Sequence, residues 1–197
     1  MATMTLLRLL AALAAAGVII AGASFTLAAL RPDPDALQFE ATDISDVSWG
    51  RDFQLTGHDG RERKLADFRG KIIALYFGYT RCPDVCPTTM AALGQAITLL
   101  GEDGARVQGL FVTVDPRHDS PEVLARYVRS FHDDFIGLYG ERNAIARTAR
   151  EFKVEVGEHH SIPVFLFDTK GRLRLMVHPE ATAQSIAHDL RSLAKAD

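Results

Sequence analysis

The stretch that decides the fold is residues 71–87, which read KIIALYFGYTRCPDVCP. The run IIALYFG inside it is continuous, apolar and short, and such a run is typical of a central strand covered on both faces. Pro87 fits the first position of a helix, and residues 88–100 continue that helix. Cys82 and Cys86 therefore lie where a buried strand ends and its helix begins.

The segments on either side predict further strands and helices. They are a hairpin of residues 53–56 and 61–65, a strand over 107–114, a helix opened by Ser120, Pro121 and Glu122, a short strand or loop over 135–139, a helix capped by Asn143, two strands over 162–168 and 173–178, and a helix over 182–196. Strands that alternate with helices indicate an α/β fold with a mixed central sheet. A terminal hairpin and helix after a βαβ unit is the thioredoxin-type arrangement.

The N-terminal region predicts a membrane segment. Residues 9–30 carry no charge, and about 20 apolar residues are needed to span a bilayer as a helix. We therefore predict a membrane anchor in residues 1–30, although Ala21-Gly22-Ala23 also fits a signal-peptide cleavage site. In either case the rest of the chain is expected to be exported, with a linker over residues 31–47 and a domain over residues 48–197.

The composition excludes one class of partner. The chain has 197 residues, of which 47% are hydrophobic, and a formal net charge of -3. This length is enough for one domain and an appendage. A nucleic-acid partner is not expected, because a phosphate-binding surface needs clustered lysine and arginine.

The cysteine pair predicts either a metal site or a redox site. Unpaired N–H groups at a helix start favour thiolate over thiol, so we predict a partly exposed pair with lowered pKa values. Two thiolates suit a soft ion such as Cu(I). A structural disulfide between Cys82 and Cys86 would close only a small loop and add little stability. Three residues separate the cysteines, whereas the common redox motif has two.

A third ligand would favour the metal site over the redox site. His159 and His160 directly precede Ser161 and the predicted strand over residues 162–168. A histidine at the start of that strand can lie beside the cysteine loop if both strands meet at one edge of the sheet. The alternative is that both histidines lie in a polar loop without a ligand role. The remaining histidines are expected at the surface; they are His58, His118, His132, His178 and His188.

Four ordered blocks of the chain resemble the Sco (SenC) family. The first is the cysteine motif over residues 78–87, and the second is Val112 to Pro116 followed by Asp119 to Glu122. The others are residues 135–140 and His160-Ser161. The similarity runs from about Phe39 to the C-terminus.

The resemblance implies a thioredoxin-like fold with one membrane anchor, and copper bound as Cu(I) or Cu(II) by Cys82, Cys86 and His160. It implies a metallochaperone that assists assembly of the dinuclear copper centre of cytochrome c oxidase, by copper delivery or by reduction of the target's cysteines. The expected partner is the copper-accepting oxidase subunit. The expected location is the bacterial inner membrane, with the domain on the periplasmic or extracytoplasmic side.

Three departures and two alternatives stay open. The family usually has aspartate at the position of His159, so either histidine is a candidate ligand, and His118 stands where arginine is usual. Pro163 is unusual for the family and favours a disulfide-reductase role alongside copper binding. A thiol–disulfide oxidoreductase that acts on exported proteins through Cys82 and Cys86 is the main alternative. A peroxidase-like thiol protein is a further one, with Arg81 as the arginine partner.

Overall fold

The computed structural model describes residues 38–155 and 162–195. The chain divides into two compact units, residues 1–37 and 38–197, so everything described belongs to the second unit. The predicted anchor over residues 1–30 lies outside the described residues. Across the described ranges, no helix has the length and apolar character needed to cross a membrane.

One eight-stranded sheet forms the centre of this unit, in the order β1-β8-β7-β4-β5-β6-β2-β3. The strands are β1 (Thr42–Asp43), β2 (Gln54–Gly57), β3 (Glu62–Lys64), β4 (Ile72–Gly78), β5 (Val107–Thr113), β6 (Ile136–Tyr139), β7 (Val164–Phe167) and β8 (Leu173–Val177). Strands β4, β5 and β6 are parallel, whereas β7 is antiparallel to β4. The predicted α/β fold with a mixed central sheet is therefore confirmed.

Among residues 38–155 and 162–195, four α-helices connect and cover the strands. They are α1 (Val85–Leu99), α2 (Pro121–Arg129), α3 (Arg142–Glu151) and α4 (Ala183–Lys195), and 3-10 turns occupy Leu65–Phe68 and Gly101–Arg106. Helix α1 joins β4 to the parallel strand β5, and the β7–β8 hairpin precedes α4. This is the predicted order of a βαβ unit followed by a hairpin and a helix.

The core lies on both faces of β4 and β5, whose residues are all buried. Successive side chains of a strand face opposite ways, so Tyr76 and Phe77 enter different layers. The Tyr76 ring lies 6.2 Å from the ring of Phe111, and Phe77 lies 5.4 Å from Phe152 on the other side. Burial on both faces explains why the sequence of β4 is continuously apolar.

The helix starts agree with the sequence in one case and differ in two. Ser120 caps α2 by accepting a hydrogen bond from Val123 N–H, and Pro121 is the first helical residue, as predicted. Helix α1 begins at Val85, so Pro87 is its third residue and not its first. Proline is tolerated there because the first-turn N–H groups have no partner inside the helix. The prediction that Asn143 caps α3 is wrong, because that helix begins at Arg142.

Strand β1 lies within residues 31–47, which were predicted as a linker. It pairs with β8, and the N–H groups of Glu40 and Ala41 each donate a 2.8 Å hydrogen bond to the buried carboxylate of Asp189. Residues 38–47 therefore belong to the compact unit. The other part of the predicted linker, residues 31–37, lies outside the described residues.

Candidate metal centre

Cys82 and Cys86 lie at the junction between β4 and α1, and both are free thiols. Cys82 N–H donates to the carbonyl oxygen of Tyr79 over 3.1 Å, which turns the chain after the strand. Cys86 N–H then donates to the sulfur of Cys82 over 3.3 Å. The Cys82 sulfur is thus the acceptor for an N–H in the first turn of α1. Partial positive charge at that helix end stabilises a thiolate.

Both thiols are buried, with 8% of Cys82 and 1% of Cys86 exposed. Burial, together with the neighbouring Cys82 thiol, raises the pKa of Cys86 to about 12. The sequence predicted a partly exposed pair, which is wrong for both cysteines, and a lowered pKa, which is wrong for Cys86. Because α1 begins at Val85, the Cys86 side chain points at the sheet. A Cβ added to Gly78 would lie 3.0 Å from its sulfur.

Three tyrosines lie near the cysteines, of which Tyr76 is buried and Tyr79 and Tyr127 are half-buried. Burial raises the pKa of Tyr76 and of Tyr127, and the nearby charge of Cys86 raises both further. Burial and the charge of Cys82 likewise raise the pKa of Tyr79. These phenols therefore stay protonated at neutral pH, so each keeps a hydrogen-bond donor.

A buried carboxylate holds the loop that leads to the cysteines. Asp119 is 1% exposed and accepts hydrogen bonds from the Thr80 N–H at 3.1 Å and the Thr80 hydroxyl at 2.6 Å. The Thr113 hydroxyl, at the end of β5, donates to the same carboxylate over 2.6 Å. Asp119 therefore ties the chain two residues before Cys82 to the neighbouring strand. This role of Asp119 was not predicted from the sequence.

Arg81, Asp115 and His118 form an exposed polar cluster beside this loop. The Arg81 guanidinium lies 3.0 Å from a carboxylate oxygen of Asp115 and 2.8 Å from Nδ1 of His118. His118 Nδ1 also lies 2.8 Å from Asp115. Although partial burial favours the neutral carboxyl, the hydrogen bonds from Arg81 and His118 hold the pKa of Asp115 below its ordinary value. His118 therefore has a carboxylate partner, and it is exposed, as predicted.

The predicted third ligand, His160, and its neighbour His159 both lie outside the described residues. In the ranges that the structure does describe, no three or more histidine, cysteine or acidic side chains form a group able to hold a metal. Strand β7 begins at Val164 and runs antiparallel to β4, with Phe165 opposite Leu75. The start of β7 is therefore at the edge of the sheet where β4 ends. A histidine just before β7 was predicted to lie at this edge.

The other histidines have separate surroundings. His58 Nδ1 accepts from the Gly137 N–H over 3.0 Å, and burial lowers the pKa of His58. His132 stacks on Phe135, with ring centroids 5.2 Å apart. His178 lies 3.3 Å from the Thr42 hydroxyl, and His188 lies 3.3 Å from the Asp189 carboxylate. None of these contacts involves a cysteine. His178 and His188 are exposed, as predicted, whereas His58 and His132 are half-buried.

The two thiols suit a soft metal ion better than a hard one. Thiolate sulfur selects Cu(I) or zinc, whereas Ca²⁺ and Mg²⁺ prefer oxygen. The Cys82 sulfur lies at a positive helix end, and Gly78 leaves room against the Cys86 sulfur that a side chain would fill. The donor set therefore fits copper through sulfur ligands.

Fold and site together define an α/β protein of the thioredoxin type, with a dithiol where the first central strand meets its helix. The model of the SCO1/SenC family matches residues 41–195. The chain belongs to the SCO1/SenC family.

Relatives and solved structures agree with this assignment. The human mitochondrial SCO2 homolog is 34% identical over 192 residues, which cover 89% of this chain and 72% of that protein. The chain spans about three-fifths of the bovine, zebrafish and mouse SCO2 homologs. Apo Sco1 from Thermus thermophilus is 35% identical, with a TM-score of 0.68, over 82% of this chain and 99% of that one. Copper-bound ScoI from Bradyrhizobium japonicum is 30% identical, with a TM-score of 0.65, over 73% of this chain and 98% of that one.

Proposed function

We propose that this chain binds copper through Cys82, Cys86 and His160, and acts as a metallochaperone in assembly of the dinuclear copper centre of cytochrome c oxidase. The observation that carries the proposal is the pair of free thiols at the β4–α1 junction, one of which accepts a hydrogen bond from the helix N-terminus. Membership of the SCO1/SenC family and the copper-bound relative from Bradyrhizobium japonicum support it.

The proposal for His160 rests on the register between β4 and β7. Ile73 pairs with Phe167, and Leu75 pairs with Phe165. The start of β7 therefore lies at the edge of the sheet where β4 leads into the cysteine loop. Adjacent residues of an extended chain face opposite ways, so only one of His159 and His160 can face the thiols. We assign that role to His160, because it occupies the family's histidine position.

The setting of this activity is part of the same proposal. The uncharged apolar run over residues 9–30 supports a membrane anchor. The domain would then be held at the periplasmic face of a bacterial inner membrane. Its partner there would be the copper-accepting subunit of the oxidase, and its cargo would be copper.

Copper titration of the reduced chain tests the proposal. Wild type is expected to bind one Cu(I) ion, and Cys82→Ala or Cys86→Ala is expected to abolish tight binding, because one thiolate cannot hold a soft ion against solvent and competitors. His160→Ala is expected to weaken binding more than His159→Ala does. His188→Ala is the matched control, since His188 contacts Asp189. Normal stoichiometry in either cysteine variant would refute the copper site.

The unequal burial of the two thiols favours a second function, thiol–disulfide exchange. Cys82, which is the more exposed, would attack a target disulfide to form a mixed disulfide. Cys86 would then displace the target as a thiol, so that the target gains two thiols and this chain gains a Cys82–Cys86 disulfide. His160→Ala separates the two functions, because it should weaken copper binding and leave the dithiol reduction potential unchanged.

A further inference from the structure

Three buried hydroxyl groups near Cys86 have no hydrogen-bond partner. Among the described residues, the oxygens of Tyr76, Thr89 and Tyr127 are all buried in this way. A buried hydroxyl without a partner destabilises a fold. A partner gained on metal binding would remove this cost.

The Tyr76 hydroxyl lies close to the Cys86 sulfur, and the Thr89 hydroxyl lies close to Tyr76. Cys86 and Thr89 are three residues apart on α1 and lie on one face of the helix. Tyr76 and Gly78 are two residues apart on β4 and lie on one face of the sheet. A Cβ on Gly78 would be 3.0 Å from the Cys86 sulfur, so this sulfur lies over the part of the sheet that carries Tyr76.

The metal-free and metal-loaded states offer Tyr76 different acceptors. A neutral thiol accepts hydrogen bonds weakly, whereas a thiolate bound to a metal carries negative charge and accepts them strongly. We propose that the Tyr76 hydroxyl donates a hydrogen bond to the Cys86 thiolate when copper is bound, and so tunes the site without being a ligand. This inference rests on the proposed copper-binding function.

Removal of the Tyr76 hydroxyl is therefore expected to affect the stability of the metal-free fold and the affinity for copper differently. In the metal-free protein the Tyr76 hydroxyl is buried without a partner, so its removal does not destabilise the fold. In the copper-loaded protein the same hydroxyl stabilises the thiolate, so its removal weakens binding. If Tyr76 contributed only to packing, its replacement would lower the stability of the metal-free protein as well as the copper affinity.

The test compares Tyr76→Phe with Tyr127→Phe in the full chain. Tyr127 also has a buried hydroxyl without a partner, but its ring packs on Phe111 and Phe131, at 5.1 and 5.0 Å. For Tyr76→Phe we expect a metal-free melting temperature equal to or above that of wild type. We also expect a Cu(I) dissociation constant raised about tenfold or more, the usual effect of a lost hydrogen bond to a charged group. For Tyr127→Phe we expect no fall in melting temperature and a smaller rise in the dissociation constant than for Tyr76→Phe, because Tyr127 is affected by the charge of Cys86 but forms no hydrogen bond with it.

A spectroscopic readout accompanies the affinity. Loss of the hydrogen bond makes the thiolate a stronger electron donor, so the sulfur-to-copper(II) absorption band of Tyr76→Phe is expected to move to lower energy. An unchanged band and an unchanged dissociation constant would overturn the inference and leave the copper site intact. Weakened binding with a lowered metal-free melting temperature would also overturn it, because a packing defect would then explain the result. If wild type bound no copper, the proposed function would fail together with this inference.

Discussion

Replacement of Asp119 tests whether one buried carboxylate holds the cysteine loop. Asp119→Ala removes the acceptor of three hydrogen bonds, two from Thr80 and one from Thr113. Hydrogen bonds to a charged group each contribute about 1.5 kcal/mol or more, so we expect the free energy of unfolding to fall by about 4 kcal/mol. Asp119→Asn keeps one acceptor oxygen and should cost about half as much.

Urea denaturation followed by tryptophan fluorescence measures this loss. Trp49 is the one tryptophan in the sequence, and it packs edge-on against Phe165 of β7, with ring centroids 6.0 Å apart. Asp115→Asn is the control. Its partner Arg81 is 61% exposed, and exposed ion pairs contribute less than about 1 kcal/mol. If Asp119→Ala cost no more than Asp115→Asn, the carboxylate would not hold the loop.

Two further predictions concern Cys86 and the strand beneath it. Gly78→Ala puts a methyl group 2.8 Å from Phe111 Cε2 and 3.0 Å from the Cys86 sulfur. We therefore expect the free energy of unfolding, measured by urea denaturation, to fall by about 1–3 kcal/mol, and copper binding to weaken. Gly140→Ala, whose nearest neighbour is the end of Leu55 at 3.2 Å, should cost less, and an equal loss would contradict this reasoning. The pKa of Cys86 is raised to about 12 from 9.0, so between these values the unfolded chain loses a proton that the folded chain keeps. The stability of reduced, metal-free protein should therefore fall as pH rises from 9 toward 12. Cys86→Ser should show a shallower fall, and an equal slope in both proteins would rule out this cause.

The parts of the fold that depend on local pattern were predictable from the sequence. The apolar run of β4 and the Ser120-Pro121 start of α2 both appear where the sequence predicts them. Strand β1 was missed because its stability comes from distant partners, namely β8 and the Asp189 carboxylate. No pattern near residue 42 encodes either partner.

The cysteines of the candidate metal centre were predictable from the sequence, whereas their burial and their hydrogen-bonding neighbours were not. Spacing and motif identified the cysteine pair and the helix that follows it. The burial of Cys86 depends on the residue at which α1 begins, and helix starts shift easily by a residue or two. The role of Asp119 depends on Thr80 and Thr113, which approach it only when β4 and β5 pair. The sequence offers one weak signal for it, a carboxylate shortly after a buried strand.

The attachment of residues 38–44 has a mechanical consequence. This segment is held by the two hydrogen bonds to Asp189, by two residue pairs with β8 and by the bond from Ile44 N–H to Arg174. The Thr42 hydroxyl also contacts His178, and apolar side chains of the segment pack against the core. A pulling force applied from the N-terminal side would break these contacts before it loaded the central strands. Their release would free seven residues, or roughly 20 Å of extended chain. Strand β1 would then detach first under tension. This would lengthen the N-terminal connection of the domain while β4 and the cysteine loop stay folded.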